Sequence, residues 1–304
     1  MSRLRATAEA WLQAETAAGR RVIVVEVREA LGSAPREAGT RMLVSATRSA
    51  GTVGGGHLEL KAIAAARAML ALPAAAAIEP REVHYPLGPA LGQCCGGAVT
   101  LRMAALDAAE LARWPIEPPR FHLQLYGAGH VGRAIVRALA PLHVVVDWID
   151  ERDEEFPAAW IDEAPDVPWP DHVRKVCVDS VEAEVLAAPP GAHYLVLTHR
   201  HDLDERISEA ILARGDFGYF GLIGSKTKRA RFLHRFEQRG LPADAIARMT
   251  CPIGMPGIDG KEPEVIAAAV VAQLLAQPVR AASHAKTPAA RAASATPAAP
   301  GARG

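Results

Sequence analysis

Two adjacent thiols, Cys94 and Cys95, stand between Gln93 and the pair Gly96-Gly97. Neighbouring cysteines do not easily close a relaxed disulfide with each other. The glycines that follow let backbone amides face a ligand as a small anion-binding nest. Thiolates are soft donors and also carry sulfur as persulfides, so this segment suits a soft metal or its sulfide ligand. The same pattern fits small buried cysteines in a tight turn, since free cysteine is among the most buried residue types.

A second chemical signal is Gly127-Ala128-Gly129-His130-Val131-Gly132, which follows an apolar run and precedes a helical pattern, with Asp150 at the end of the next apolar run. Gly127, Gly129 and Gly132 let a backbone turn tightly against a phosphate at a helix N-terminus, and Asp150 could accept from a ribose hydroxyl. Gly221-Leu222-Ile223-Gly224-Ser225 makes a similar turn, with Lys226, Lys228 and Arg229 just after it. Cations in a first helical turn oppose the macrodipole, and an anion bound at Gly224, Ser225 and Lys226 would relieve the conflict. Thr198-His199-Arg200-His201-Asp202-Leu203-Asp204 offers two imidazoles and nearby carboxylates, but no third histidine completes a hydrolase site. It reads as a polar ligand-facing loop, with Asp204 as the N-cap of the next helix. Cys177, within Val173–Val178, reads as core. Cys251 precedes Pro252-Ile253-Gly254 in a loop whose role stays open, and His57 and Glu59 at a helix start suit either a ligand or the helix end itself. No complete acid/base constellation is visible.

These residues need elements to position them. Leu4, Ala8, Trp11 and Leu12 share one helical face, followed by a β-branched strand over Val22–Val27 and a Gly/Pro loop at Gly32–Pro35. A short strand over Thr40–Ser45 precedes Gly51-Thr52-Val53-Gly54-Gly55-Gly56, which opens an Ala-rich helix over His57–Leu72. The loop Leu87–Gly97 precedes a strand over Ala98–Met103. Prolines 115, 118 and 119 mark a linker over 106–119. After it come strands over Phe121–Tyr126, His143–Ile149, Val173–Val178, His193–Thr198 and Tyr219–Ile223. Helices are expected over Val131–Ala140, Leu203–Ala213, Lys226–Arg239 and Glu262–Leu275. Strand–helix alternation is what a parallel doubly wound sheet requires. The expected organisation is α/β throughout: a smaller mixed α/β domain over 1–105, then a Rossmann-like domain over 120–277. Residues 278–304 carry Ala, Pro, Ser, Thr and Arg without periodicity and are expected to be a disordered tail.

Composition excludes several classes. The chain has 304 residues, with 34 Lys plus Arg against 34 Asp plus Glu, so no net field gathers nucleic acid or an anionic membrane. Only 5% of residues are aromatic while half are hydrophobic, so the cores are built from Ala, Val, Leu and Ile. No signal-peptide or membrane-spanning segment is evident, which places the chain in the cytoplasm. The four cysteines lack the paired spacing of a structural zinc site.

Taken in order, Gly51–Glu59, Leu91–Gly97, Tyr126–Gly132, Thr198–Asp204, Gly221–Lys226 and Cys251–Gly254 resemble the XdhC family, the accessory proteins of molybdenum-containing xanthine dehydrogenases, with a CoxI-type N-terminal half. The likeness runs from Val22 to Leu275. It implies a protein that binds the molybdenum cofactor, protects its sulfurated form and delivers it to the cofactor-binding subunit of xanthine dehydrogenase. It also implies contact with a cysteine desulfurase and a homodimer. By that resemblance Gln93, Cys94 and Cys95 become the cofactor site, with either thiol near the metal or its sulfur. The competing reading from the residues alone is an NAD(P)-dependent oxidoreductase, resting on Gly127–Gly132 and Asp150.

Overall fold

A computed structural model describes residues 3–73, 76–87, 97–161 and 164–278. Its first unit contains α1 (Arg3–Ala17), β1 (Ile23–Leu31), β2 (Arg41–Val44), β3 (Ser49–Gly51), α2 (Gly56–Leu70), β4 (Arg81–Pro86) and β5 (Ala98–Ala105). The strands form one antiparallel sheet in the order β3-β2-β1-β5-β4. Side chains alternate across a strand, so Ile23, Val25 and Val27 of β1 pack under α2, whereas Val22 and Val24 meet α1. Both faces being covered there, the chain enters β1 as an apolar run, Val22–Val25, before Glu26 interrupts it. Leu58, Ala62, Ala66 and Met69 repeat at helical spacing along the buried face of α2.

The stretch assigned to a linker from residue 106 differs. It opens with α3 (Ala108–Ala112), whose N-cap Asp107 accepts from the Glu110 amide at 2.7 Å. Leu111 and Trp114 are buried against Ala8 and Trp11, and Arg5 of α1 donates to the carbonyls of Leu111 and Trp114. Glu110 accepts two bonds from buried Arg102, both at 2.9 Å. The three prolines follow this helix, whose Asp-x-x-Glu start and buried Leu111 belong to the first unit.

The second unit contains β6 (His122–Tyr126), α4 (His130–Leu139), β7 (Val145–Asp150), β8 (Val173–Cys177), β9 (His193–Val196), α5 (His201–Arg214), β10 (Tyr219–Leu222), α6 (Lys226–Gln238), α7 (Ala243–Ala247), β11 (Met249–Thr250) and α8 (Pro263–Leu275). All its strand pairs are parallel, in the order β11-β10-β9-β6-β7-β8. That is the doubly wound order, with the chain reversing direction of growth between β6 and β9. Leu123 and Leu125 of β6 point to the face packed by α4 and α8, whereas Tyr126 joins the opposite core with Ile207 of α5 and Phe232 of α6. Between β7 and β8 no α-helix appears among the described residues. Phe156, Trp160 and Trp169 cover the sheet there instead, with Phe156 meeting Trp148 edge-on at 5.2 Å and Trp160 meeting Trp169 at 5.1 Å.

Cys177 is not core. It ends β8, the edge strand, and is exposed, as are Arg174 and Lys175 beside it. No helix among the described residues is long and apolar enough to cross a membrane.

Glu110 accepts both of the 2.9 Å bonds from buried Arg102, with Glu26 farther off at 3.7 Å, so Glu110→Ala is expected to lower stability by about 2 kcal/mol. Urea unfolding checks this, and the double variant Arg102→Met with Glu110→Leu is expected to recover most of the loss.

Candidate functional site at the switch point

The glycine turn after β6 is built by two close approaches. At Gly127, φ is +122° and a Cβ would lie 2.4 Å from the Leu197 carbonyl oxygen, at the end of β9. At Gly132 a Cβ would lie 2.1 Å from the Gly127 oxygen, so α4 can start only where that side chain is missing. Gly129 does something else. It is the N-cap of α4, extended at φ −68° and ψ −175°, with no side-chain cap and no heavy atom within 4 Å of a would-be Cβ. The first-turn amides of α4 therefore face an open space, with the positive end of the helix dipole behind them.

Asp150 closes the turn from below. Its carboxylate accepts from the Ala128 amide at 2.7 Å, and from the Arg152 amide, Nε and Nη2 at 3.0 Å each. Burial alone would raise this carboxyl, but the Arg152 side chain and the two backbone amides hold it below the ordinary carboxylate range. With four donors on two oxygens, Asp150 has no acceptor position left for a ribose hydroxyl unless Arg152 moves away. Arg152 also donates to Glu155 at 3.0 Å. The sequence reading missed Arg152, although its place two residues after the acid was the available signal.

The second turn is closed where the first is open. Ser225 caps α6 by accepting from the Lys228 amide at 3.2 Å. Lys228 is buried, and its Nζ donates to Asp204 Oδ2 at 2.6 Å and to the Ile223 carbonyl at 2.8 Å. The conflict between that lysine and the helix dipole is thus met by Asp204, with no bound anion required. Gly224 is packed, since a Cβ would come within 2.7 Å of Lys228 Cδ and 3.3 Å of Cys251 Sγ. Ser225 and Lys226 remain exposed. Asp204 is not the N-cap of α5, which is Arg200. It lies in the first turn, where Oδ1 accepts from the Thr198 amide at 3.0 Å and hydroxyl at 2.7 Å. One carboxylate thereby ties the end of β9 to the start of α6. Cys251 is buried beside this pair, and burial pushes its thiol up.

His199 and His201 are exposed, with His199 Nε2 at 3.8 Å from Glu151. Among the described residues no group of three or more His, Cys, Asp or Glu is placed to hold a metal ion.

In the first unit, Gln93, Cys94, Cys95 and Gly96 lie outside the described residues. The two ends of their segment meet, because the Leu87 amide donates to the Gly97 carbonyl at 2.8 Å. Gly97 lies flat against β1 and the loop after it, since a Cβ would be 2.3 Å from the Leu31 oxygen and 2.6 Å from that of Ser33. Pro35 of the same loop sits on Gly54, so the Gly32–Pro35 loop is in contact with both the Gly51–Gly56 turn and the stem of the cysteine segment. Glu59 serves the helix end: it accepts from the Thr52 hydroxyl and, at 3.2 Å, from the Gly55 amide.

The order of the parallel sheet and the glycine turn at its switch point define a Rossmann-type domain, which follows an antiparallel α/β unit. Residues 123–274 match the family model described as the XdhC Rossmann domain, and residues 16–85 match that of the XdhC and CoxI family. The chain belongs to the XdhC family. It is 29% identical over 262 residues to YqeB of Escherichia coli strain K12, covering 83% of this chain and 42% of that protein. It thus spans less than half the length of that curated relative. A crystal structure of a Bacillus halodurans protein described as a xanthine dehydrogenase superposes with a TM-score of 0.68 over 95% of this chain and 98% of that one, at 19% identity. That likeness is one of fold.

Two outcomes separate the glycines. Gly132→Ala is expected to cost about 3 kcal/mol or prevent folding, because the turn must open to admit a methyl group. Gly129→Ser is expected to leave stability within about 0.5 kcal/mol, since serine is a good N-cap in an unstrained conformation. Thermal unfolding reads both. Asp150 has a lowered folded pKa, so its stabilisation is complete above the ordinary carboxylate range and declines as pH falls through the folded value. Unfolding midpoints between pH 6 and 3 are expected to fall less steeply in Asp150→Asn than in the wild type.

Proposed function

We propose that this chain is a non-catalytic accessory protein that binds the molybdenum cofactor as cargo, keeps it in its sulfurated form and passes it to the cofactor-binding subunit of a xanthine dehydrogenase. Membership of the XdhC family gives the class. The structural observation that carries the reading is the open α4 N-terminus at Gly129, set at the sheet's switch point with no side chain capping it. A terminal phosphate fits there, since backbone amides and a helix dipole converge on that space. The Gly224 turn fits less well, because Ser225 and Lys228 already satisfy it.

The cargo presents a phosphate at one end and, at the other, a dithiolene-bound molybdenum with a terminal sulfide. Gln93, Cys94 and Cys95 are assigned to that second end, as hydrogen-bond donor and soft sulfur groups. A cysteine desulfurase is the proposed source of the sulfide, and the working form is a homodimer in the cytoplasm. The alternative, an NAD(P)-dependent oxidoreductase, uses the same glycine turn. It is disfavoured by Asp150, whose oxygens are filled by Arg152 and the turn itself.

Anaerobic gel filtration after mixing with released molybdenum cofactor tests the reading. About one molybdenum per chain is expected to be retained. Cys94→Ala or Cys95→Ala is expected to reduce retention at least tenfold, and Gly129→Asp to weaken it by placing a carboxylate at the phosphate position. No retention by the wild type, together with saturable NAD(P)H binding, would overturn it.

A further inference from the structure

The turn after β6 has the parts of a dinucleotide cradle, and one side chain closes it. A ribose diol is recognised by an acid at the end of the second strand, here Asp150 at the end of β7. A carboxylate offers four lone pairs, and on Asp150 all four are in use. Oδ1 accepts from the amide and Nε of Arg152, and Oδ2 from the Ala128 amide and from Nη2 of Arg152. Half of that set is the Arg152 guanidinium. The other half comes from backbone amides and does not depend on the side chain at position 152.

The guanidinium is held from its far side as well. Its Nη1 donates to Glu155 Oε1 at 3.0 Å, in the short helical turn Asp153–Glu155. Arg133, in the first turn of α4, donates from Nη2 to the Glu155 carbonyl at 2.7 Å and from Nε to the Ala128 carbonyl at 3.1 Å. These contacts close a ring, from the Ala128 amide through Asp150, Arg152, Glu155 and Arg133 back to the Ala128 carbonyl. Linked in this way the bonds support one another, and Arg152 cannot swing into solvent without breaking two ion pairs. Beneath it the Asp150 side chain is 3% exposed, against 25% for that of Arg152. An arginine at such a site can instead bind a ribose 2′-phosphate. Here Nε, Nη1 and Nη2 all donate already, and Glu154 and Glu155 add negative charge beside them.

We propose that Arg152 is the specificity-determining residue of the switch-point site: by occupying Asp150 it shuts out nucleotides that present a ribose diol, and it reserves the Gly129 amides for a ligand that ends in a phosphate. The proposal rests on Gly129 being the phosphate position of the proposed function. A nicotinamide dinucleotide would otherwise compete for the same amides.

Fluorescence titration of the full chain with NADH tests this. The wild type is expected to show no saturable binding below about 1 mM. Arg152→Ala frees one lone pair on each Asp150 oxygen and is expected to bind NADH about tenfold more tightly than the wild type, or better. NADPH lacks one of the two hydroxyls and brings a 2′-phosphate against Asp150, so its gain is expected to be much smaller. Arg152→Lys, which keeps a cation on Asp150, is expected to restore most of the exclusion. Glu155→Gln loosens the ring without removing any bond to Asp150, and a smaller gain in the same direction is expected; it carries the test if Arg152→Ala does not fold. No gain in whichever of these two variants folds, an equal gain for NADPH, or wild-type binding of NADH as tight as the variant's would each overturn the proposal. Molybdenum retention by the wild type decides the proposed function separately, so that reading can stand where this one fails.

Discussion

The switch point of the parallel sheet depends on one steric constraint, the contact between the backbone at Gly127 and the carbonyl of Leu197. No Cβ fits between them. Because the turn passes so close to the end of β9, α4 can begin directly beneath it. Gly132 removes the second clash, against Gly127's own oxygen. The rest of the site is built around that geometry. Trp148 Nε1 donates to the Gly127 carbonyl at 3.0 Å, Asp150 takes the Ala128 amide, and Arg152 holds Asp150. What remains unfilled is the space in front of Gly129, so the turn is rigid where it meets the protein and open where a phosphate would arrive.

The two strand-to-helix turns on this edge illustrate how similar sequences reach different ends. Both place glycine between a buried strand and a helix. At Gly224 the following lysine folds back into the protein to meet Asp204, which also holds Thr198, and the helix start is satisfied internally. At Gly129 His130 follows and no side chain returns as a cap. An intramolecular ion pair therefore decides which turn is free for a ligand, and the deciding residue, Asp204, lies far from both in sequence.

Much of this architecture was legible beforehand because it rests on local pattern. The α1 face through Ala8 and Trp11, the β–α alternation after residue 120 and the Gly127–Gly132 turn follow from periodicity and glycine placement. What was illegible rests on tertiary pairing. Cys177 has apolar neighbours in sequence, yet nothing local says that β8 is the sheet's edge. Lys228 looks like an unpaired cation until α5 brings Asp204 to it. Asp150 matches a ribose acceptor by spacing alone, and only the folded position of Arg152 shows its oxygens taken. The linker was misjudged at its start for a simpler reason, since the capping signal Asp107–Glu110 was outweighed by the prolines after it. The candidate thiol site itself was reached through Gln93–Gly97 and family likeness. The structure contributes its setting, a stem at Leu87 and Gly97 held against the Leu31–Ser33 backbone and next to Pro35 and Gly54.

Delivery of a cargo is read by reconstitution of the receiving enzyme. The chain would be loaded with sulfurated molybdenum cofactor, freed of excess ligand, and mixed anaerobically with cofactor-free xanthine dehydrogenase in the presence of an excess of a competing cofactor-binding protein. Molybdenum is expected to leave this chain, and xanthine-oxidising activity to appear in proportion to it. Activation that is the same with free cofactor and is abolished by the competitor would contradict delivery by this protein.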